Sequence, residues 1–213
     1  MTPTFVLATR SGNKVREIRE ILGGPAARAV VSLAELGVEP DPAEDAVEAF
    51  ETFRENAIAK ARFFVRRTGR PTIAEDSGIV VPVLGGEPGV RSKRFAAASG
   101  LEGIELDQAN NRLLLERLRD VPPEARAAYY VCAAAVVHPD APDRARVFIG
   151  TCSGRIAEAP RGTGGFGYDP LFEVPGLDAT FAELPAAEKH RRSHRARAFR
   201  ALAASLFGAH PGP

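Results

Sequence analysis

Lysine is scarce in this sequence. The 213 residues hold four lysines, Lys14, Lys60, Lys93 and Lys189, against 24 arginines. A composition so biased toward guanidinium singles out each remaining ammonium, a compact point charge suited to phosphate. Cysteine is nearly absent too. Cys132 and Cys152 lie in apolar segments without C-x-x-C or histidine partner spacing, which argues against a disulfide framework and for buried thiols in a reducing cytosol. No apolar run approaches the roughly 20 residues of a membrane span, and Phe5-Val6-Leu7-Ala8 is too short for a signal-peptide core. The formal net charge of +1 provides no global field for nucleic acid or membrane. No G-x-x-x-x-G-K-[ST] occurs, so a P-loop is excluded. A soluble cytoplasmic chain is the expectation.

What is present suits one domain, or one domain with two lobes: 45% hydrophobic and 26% charged residues in a chain long enough to bury a sizeable core. Charge is unevenly placed. Residues 39–55 hold seven carboxylates (Glu39, Asp41, Glu44, Asp45, Glu48, Glu51 and Glu55) against one arginine. From Lys189 onward there is no acid, while Lys189, Arg191, Arg192, Arg195, Arg197 and Arg200 are basic. A cation-attracting stretch and an anion-attracting stretch therefore share one small chain.

Periodicity predicts a strand over 4–9, a polar loop over 10–13 and a helix over 14–22 with Val15, Ile18 and Leu22 in register. A second strand follows at 29–33, then an acidic loop over 36–47. Residues 48–67 read as the clearest helix, with Phe50, Phe53, Ala57, Ala61 and Phe64 as its apolar stripe and Gly69 and Pro71 as its stop. A strand over 72–74 is expected to end in Glu75-Asp76-Ser77-Gly78, and another resumes over 79–84. Asp107 is expected to cap a helix running to Leu118. Strands are predicted over 129–137, buried on both faces, and over 147–156; a last helix spans 194–207. The fold class is α/β, a mixed sheet flanked by helices.

Gly162, Gly164 and Gly167 satisfy G-x-G-x-x-G, the dinucleotide-binding fingerprint. That fingerprint needs a helix directly after it. Here Pro170 pushes Asp169 out of the helical region, and residues 172–176 read as extended chain and turn, so an NAD-dependent oxidoreductase is rejected. Two readings of the glycines stay open: an aromatic face for a nucleotide base, from Phe166 and Tyr168 beside exposed backbone groups, or a hairpin with two core aromatics.

Other constellations also carry two readings. The Glu75-Asp76-Ser77-Gly78 stretch is either a solvated acidic turn or, if Gly78 bends the chain, a pair of oxygen ligands for Mg²⁺. Asn56 and Lys60 share a helix face at i, i+4, beside the polar side that carries Glu48. The loop from Thr9 to Lys14 is either a capped turn or a phosphate seat at a helix N-terminus.

Taken together the pieces resemble the inosine triphosphate pyrophosphatase family, the Ham1-like enzymes that clear ITP, dITP and XTP. The carrying motifs are Thr9-(x)4-Lys14-(x)2-Glu17, Thr52-Phe53-(x)-Glu55-Asn56-Ala57-(x)2-Lys60-Ala61, Ala74-Glu75-Asp76-Ser77-Gly78, Leu84-Gly85-Gly86-(x)-Pro88-Gly89, GTGGFGYDP from Gly162 to Pro170, and Glu188-Lys189-(x)3-Ser193-His194-Arg195. The resemblance implies an elongated mixed sheet, a single domain of two lobes with the site in a cleft, and a homodimer. It also implies Mg²⁺-dependent hydrolysis of a nucleoside triphosphate to monophosphate and pyrophosphate. Carried over by position, Asp76 is the general base, and Glu48, Glu75 and Asp76 form the metal site. Thr9, Asn13, Lys14, Asn56, Lys60 and Ser77 serve the phosphates. Phe166, Gly167, Tyr168, Asp169, Lys189, His194 and Arg195 hold the base, their donors matching the 6-keto group of hypoxanthine or xanthine. Four positions depart from the family pattern: Ser11 for a usual Asn, Phe50 for Gly, Glu75 for Asp and Arg91 for Tyr. The implied partner is a small nucleotide, with no nucleic acid and no membrane. Two alternatives are a non-catalytic nucleotide- or RNA-binding module using the basic C-terminal helix, and a pyrimidine-specific sister pyrophosphatase.

Overall fold

The computed structural model describes residues 4–44, 46–96 and 100–208; Asp45 of the acidic stretch lies outside the described residues. Six strands form one sheet: β1 (Phe5–Leu7), β2 (Val30–Ser32), β3 (Thr72–Val80), β4 (Ala127–His138), β5 (Ala141–Ile156) and β6 (Phe172–Glu173), in the order β2-β1-β3-β4-β5-β6. β1 runs parallel to β2 and to β3, pairing Val6 with Val31 and Leu7 with Ile73. β5 and β6 are antiparallel, with Ile156 opposite Phe172. The sheet is mixed, as the patterning predicts.

The chain divides into two compact units, one of Met1–Asp76, Cys132–Gly150 and His194–Pro213, the other of Ser77–Val131 and Thr151–Ser193. The first unit is layered helix, sheet, helix. On one face α1 (Gly12–Leu22) and α6 (His194–Phe207) bury Ile18, Phe199 and Leu202 against Phe5, Leu7, Ile73, Cys132, Ala134 and Val136. On the other, α3 (Phe53–Thr68) buries Ala57, Ala61 and Phe64 against Val6, Ala74, Ala133, Ala135 and Val137. Odd and even positions of β4 thus serve opposite helix layers, the period-two rule of a strand. This is the two-faced burial expected of that strand. It holds only from Cys132 onward; before that the strand alternates, and Tyr129 is 36% exposed. There β4 belongs to the second unit, whose core of Ile79, Leu114, Leu118, Tyr130, Phe172 and Phe181 takes Ala128 and Tyr130 from that stretch of β4.

Several boundaries differ from the sequence expectation. α3 starts at Phe53 rather than at residue 48: Thr52 caps it, its hydroxyl oxygen accepting from the Glu55 amide at 3.1 Å and donating to the Glu55 carboxylate at 2.7 Å. That reciprocal pair closes the helix end and leaves Glu48 and Phe50 outside it. Phe50 is consequently 47% exposed rather than part of the stripe. β3 does not end at Glu75 but runs through Gly78 to Val80. Gly78 is there for close approach, not for a bend, because a Cβ would strike the Ser92 hydroxyl and the Gly89 carbonyl. α4 (Gly103–Arg117) begins a turn before Asp107, which is therefore no cap. Two short helices, α2 (Gly24–Arg28) and α5 (Ala186–Arg192), carry too little periodicity to be read from the sequence.

Candidate active site

Glu75 and Asp76 are adjacent on β3, so their side chains leave opposite faces of the strand. Both are buried, at 1% and 8% exposure, and both need partners from outside the strand. Lys14, in the first turn of α1, places its ammonium 2.5 Å from Glu75 Oε1. Arg195, in the first turn of α6, reaches the same oxygen at 3.7 Å and forms a buried ion pair with Glu17 of α1. Cys132 Sγ donates to Glu75 Oε2 at 3.4 Å. Burial alone would raise the Glu75 carboxyl; Lys14 and Arg195, with Lys60, outweigh it and hold it well below the usual carboxylate range. Burial and the Glu75 charge push the Cys132 thiol up, so it is an inert core group.

Asp76 has the opposite balance. Burial dominates and raises its proton affinity, Glu75 adding to the effect while Lys14, Lys60 and the Asn56 amide oppose it. Asn56 is the organiser of this carboxylate. Its Nδ2 donates to Asp76 Oδ2 at 3.0 Å and to the Phe50 carbonyl at 3.1 Å, and its Oδ1 accepts from the Phe50 amide at 2.9 Å. Asn56, expected at the phosphates by resemblance, thus has its whole amide engaged within the protein, with one bond to Asp76. The departure at Phe50 is explained as well: the backbone is what Asn56 clasps, and the side chain points outward. Replacing Asn56 by Leu removes a bond that favours the ionised carboxylate. Turnover of Asn56→Leu should fall most at low pH and recover as pH rises; a uniform loss across the pH profile would contradict this role.

Lys60 Nζ donates to the Glu75 carbonyl at 3.1 Å and ion-pairs with Glu48, which sits in the turn before α3. In the loop after β1, Ser11 caps α1, accepting from the Lys14 amide at 3.4 Å, and its own amide donates to Thr9 Oγ1 at 3.2 Å. Ser11 therefore caps α1, with Lys14 just inside the helix. Asn13 is exposed and accepts from Arg16 at 3.1 Å.

The second unit holds the glycine loop. No helix follows Gly167; turns lead directly into β6, so the oxidoreductase reading fails on structure as on sequence. The backbone amides expected to be exposed are engaged: Phe166 N–H donates to Asp169 Oδ2 at 2.9 Å and Gly167 N–H to Asp107 Oδ2 at 2.7 Å. Tyr168 is buried in the core, its hydroxyl donating to the Ser92 carbonyl at 2.8 Å. Half-buried Phe166 remains as the ring that can face a ligand. Lys189, 6% exposed, sets its ammonium 5.1 Å over that ring and 2.6 Å from Asp169 Oδ2. Of the base-side residues expected from the sequence, Phe166, Gly167, Tyr168, Asp169 and Lys189 come together here. Arg195 instead joins Glu17 and Glu75, and His194 is buried at the start of α6. Ser77 is half-buried on β3.

The basic C-terminal stretch is not one free cationic face. Arg191 and Arg192 pair with Glu188 at 2.6 and 3.3 Å, and Arg195 is buried. This weakens the RNA-binding alternative. Among the described residues no helix is long and apolar enough to cross a membrane.

Glu48, Glu75 and Asp76 do not form a ready-made metal cage: among the described residues, no group of three or more Asp, Glu, His or Cys side chains is gathered to hold an ion. Mg²⁺ does not require one, since it binds through one or two carboxylates plus phosphates and water. Half-exposed Glu48 and nearly buried Asp76 offer hard oxygen donors of the right kind, whereas Glu75 is already neutralised by Lys14 and Arg195.

Three supporting contacts are not legible in the sequence. Glu17 lies within a family motif, but its burial under Arg195 depends on α1 meeting α6. Asp107 reads as a helix cap yet accepts from the Gly167 amide. Gly150 carries no motif, yet a Cβ there would strike the His194 carbonyl and the Ala198 amide, so it lets the first turn of α6 approach β5.

Comparison with known proteins agrees with the motifs. A family model described as the Ham1 family matches residues 5–205. A Frankia alni protein named dITP/XTP pyrophosphatase is 48% identical over 201 residues, covering 94% of this chain and 96% of that one. A Thermus thermophilus protein of the same name is 44% identical over 197 residues, covering 92% and 88%. Among solved structures, a HAM1 protein from Coxiella burnetii superposes with a TM-score of 0.81 at 34% identity, covering 98% of this chain and 100% of that one. The Staphylococcus aureus Ham1 protein gives 0.79 at 36% identity, covering 96% and 98%. With that model spanning nearly the whole chain and relatives close to half identical over more than nine-tenths of it, this chain belongs to the Ham1 family.

Proposed function

We propose that this chain hydrolyses deaminated purine nucleoside triphosphates (ITP, dITP and XTP) to the monophosphate and pyrophosphate. The observation that carries the reading is the buried Asp76, oriented by Asn56 in the field of Lys14 and Lys60. The names of its relatives support the substrate class. Water adds to the α-phosphorus, the bond to the bridging oxygen breaks, and pyrophosphate leaves. Asp76 accepts the proton of that water; its raised proton affinity makes it a stronger base than a free aspartate. Lys14 and Lys60, now resting on Glu75 and Glu48, are the cations that phosphate oxygens would recruit, with Thr9, Asn13 and Ser77 as neutral donors. Glu48 and Asp76 would hold Mg²⁺, with Glu75 beside them. When bound, the ion supplies charge neutralisation for the triphosphate.

Phe166 stacks the base and Lys189 offers a donor toward a 6-keto oxygen. An adenine would present its 6-amino donor to the same donor, a costly mismatch. A cytoplasmic homodimer is proposed on the family resemblance, and the two buried free thiols suit a reducing compartment. The test is hydrolysis of ITP, XTP, GTP and ATP with and without Mg²⁺, resolving products. Mg²⁺-dependent pyrophosphate release from ITP and XTP with little from ATP is expected. Equal turnover of all four would overturn the base assignment, and release of inorganic phosphate would overturn the reaction.

A further inference from the structure

We propose that Asp107, on α4, is a positioning residue for base recognition, and that with Asn111 it fixes the backbone on both sides of Gly167 and so the orientation of the Phe166 ring. The inference rests on the reading of Phe166 as the base platform.

Asp107 and Asn111 are at i, i+4 and share one face of α4. Asp107 Oδ2 accepts from the Gly167 amide at 2.7 Å, and Asn111 Nδ2 donates to the Gly167 carbonyl at 3.1 Å. The amide belongs to the peptide plane shared with Phe166, the carbonyl to the plane shared with Tyr168. Both planes are therefore set by α4, which holds Gly167 at φ 64°, a left-handed conformation that glycine adopts readily. Phe166 is then tied on its two sides, by Asp169 on its amide and by Asp107 on the next peptide. Its ring lies under the Lys189 ammonium.

Fold stability alone does not explain either residue. Asn111 is 7% exposed, and its Oδ1 is buried with no hydrogen-bond partner among the described residues. Leaving a buried acceptor unmatched costs free energy, and a leucine would fill the site without it. Asp107 is a partly buried carboxylate whose proton affinity burial raises, against the Gly167 amide and Lys93.

The experiment compares Asp107→Ala, Asp107→Asn and Asn111→Leu with the unaltered protein. It measures KM and kcat for ITP, inhibition by inorganic pyrophosphate, which has no base, and the thermal midpoint. Asp107→Ala should raise KM for ITP about tenfold, the effect of losing a charge-assisted hydrogen bond, and change kcat by less than about threefold. Pyrophosphate inhibition and the thermal midpoint should be unchanged. Asp107→Asn, whose amide oxygen still accepts from Gly167, should recover most of the KM. Asn111→Leu should raise KM less while leaving the midpoint at or above its original value. The proposal is overturned if folded Asp107→Ala keeps its KM, if ITP and pyrophosphate weaken together, or if Asn at 107 behaves like Ala. Failure of the unaltered protein to hydrolyse ITP would instead overturn the pyrophosphatase reading itself.

Discussion

Replacing Asp76 with asparagine should abolish most turnover while leaving a well-folded protein. The loss expected for a general base is on the order of 10²- to 10⁴-fold in kcat. KM for ITP should change far less than kcat, because the substitution removes a negative charge beside Lys14 and Lys60 while Glu48 and the substrate phosphates still offer oxygens to Mg²⁺. The asparagine Oδ1 can still accept from Asn56, so the local geometry is kept. Stability should not suffer. The folded-state proton affinity of Asp76 is raised, so this carboxyl favours folding below its unfolded pKa, and that contribution is lost as pH rises through the folded value. At neutral pH the ionised group is a net cost, and Asp76→Asn should match or exceed the original thermal midpoint. A variant that is inactive because it is unfolded would contradict both halves of this expectation.

The second large effect is on stability. Arg195 is 3% exposed and neutralises two buried carboxylates, Glu17 and Glu75. Burial alone would lower its proton affinity, but Glu75 and Glu17 together drive it upward, so the guanidinium stays charged. Arg195→Met keeps the length of the side chain and removes the charge. Breaking a buried pair by deleting one partner costs about 3–5 kcal/mol, because the other charge is left in the interior. Glu75 retains Lys14, so Glu17 is the main casualty. For a chain of this size the thermal midpoint should drop by roughly 10 °C at pH 7. The deficit should shrink as pH falls. The Glu75 proton affinity is depressed in the folded protein, so its stabilising contribution is present above the unfolded pKa and is lost as pH falls toward the folded one. Orphaned carboxylates in the variant can also take up protons there. Adding Glu17→Leu to Arg195→Met should restore a good part of the midpoint. A single variant within a degree or two of the original would show that the buried network does not hold the first unit together.

The chemistry was more legible than its supports. TFVLAT followed by a polar loop and a 3.6-residue period predicts β1 and α1 correctly, because those segments are built by local preference. The glycine loop was correctly denied a following helix, because Pro170 restricts the residue before it. The acid stretch on β3 reads as a strand end, because three polar residues followed by glycine have the composition of a turn. They stay extended because Lys14, Asn56 and Arg195, all remote in sequence, satisfy the charges. The ion pairs of Arg195 with Glu17 and Glu75 were not legible, because sequence position cannot show that α6 lies on α1. The start of α3 was recoverable, since Thr52-x-x-Glu55 is a capping box that precedes an apolar run. The partners of Asn56 and Asp107 were not, because each bonds a group far along the chain, Asn56 the Asp76 carboxylate and Asp107 the Gly167 amide.

Hydrolysis of ITP in heavy-oxygen water tests the proposed chemistry most directly. Attack at the α-phosphorus places the label in the phosphate of IMP and leaves the pyrophosphate unlabelled. Label in the pyrophosphate, or formation of IDP with labelled inorganic phosphate, would contradict the mechanism assigned to Asp76 and its lysines.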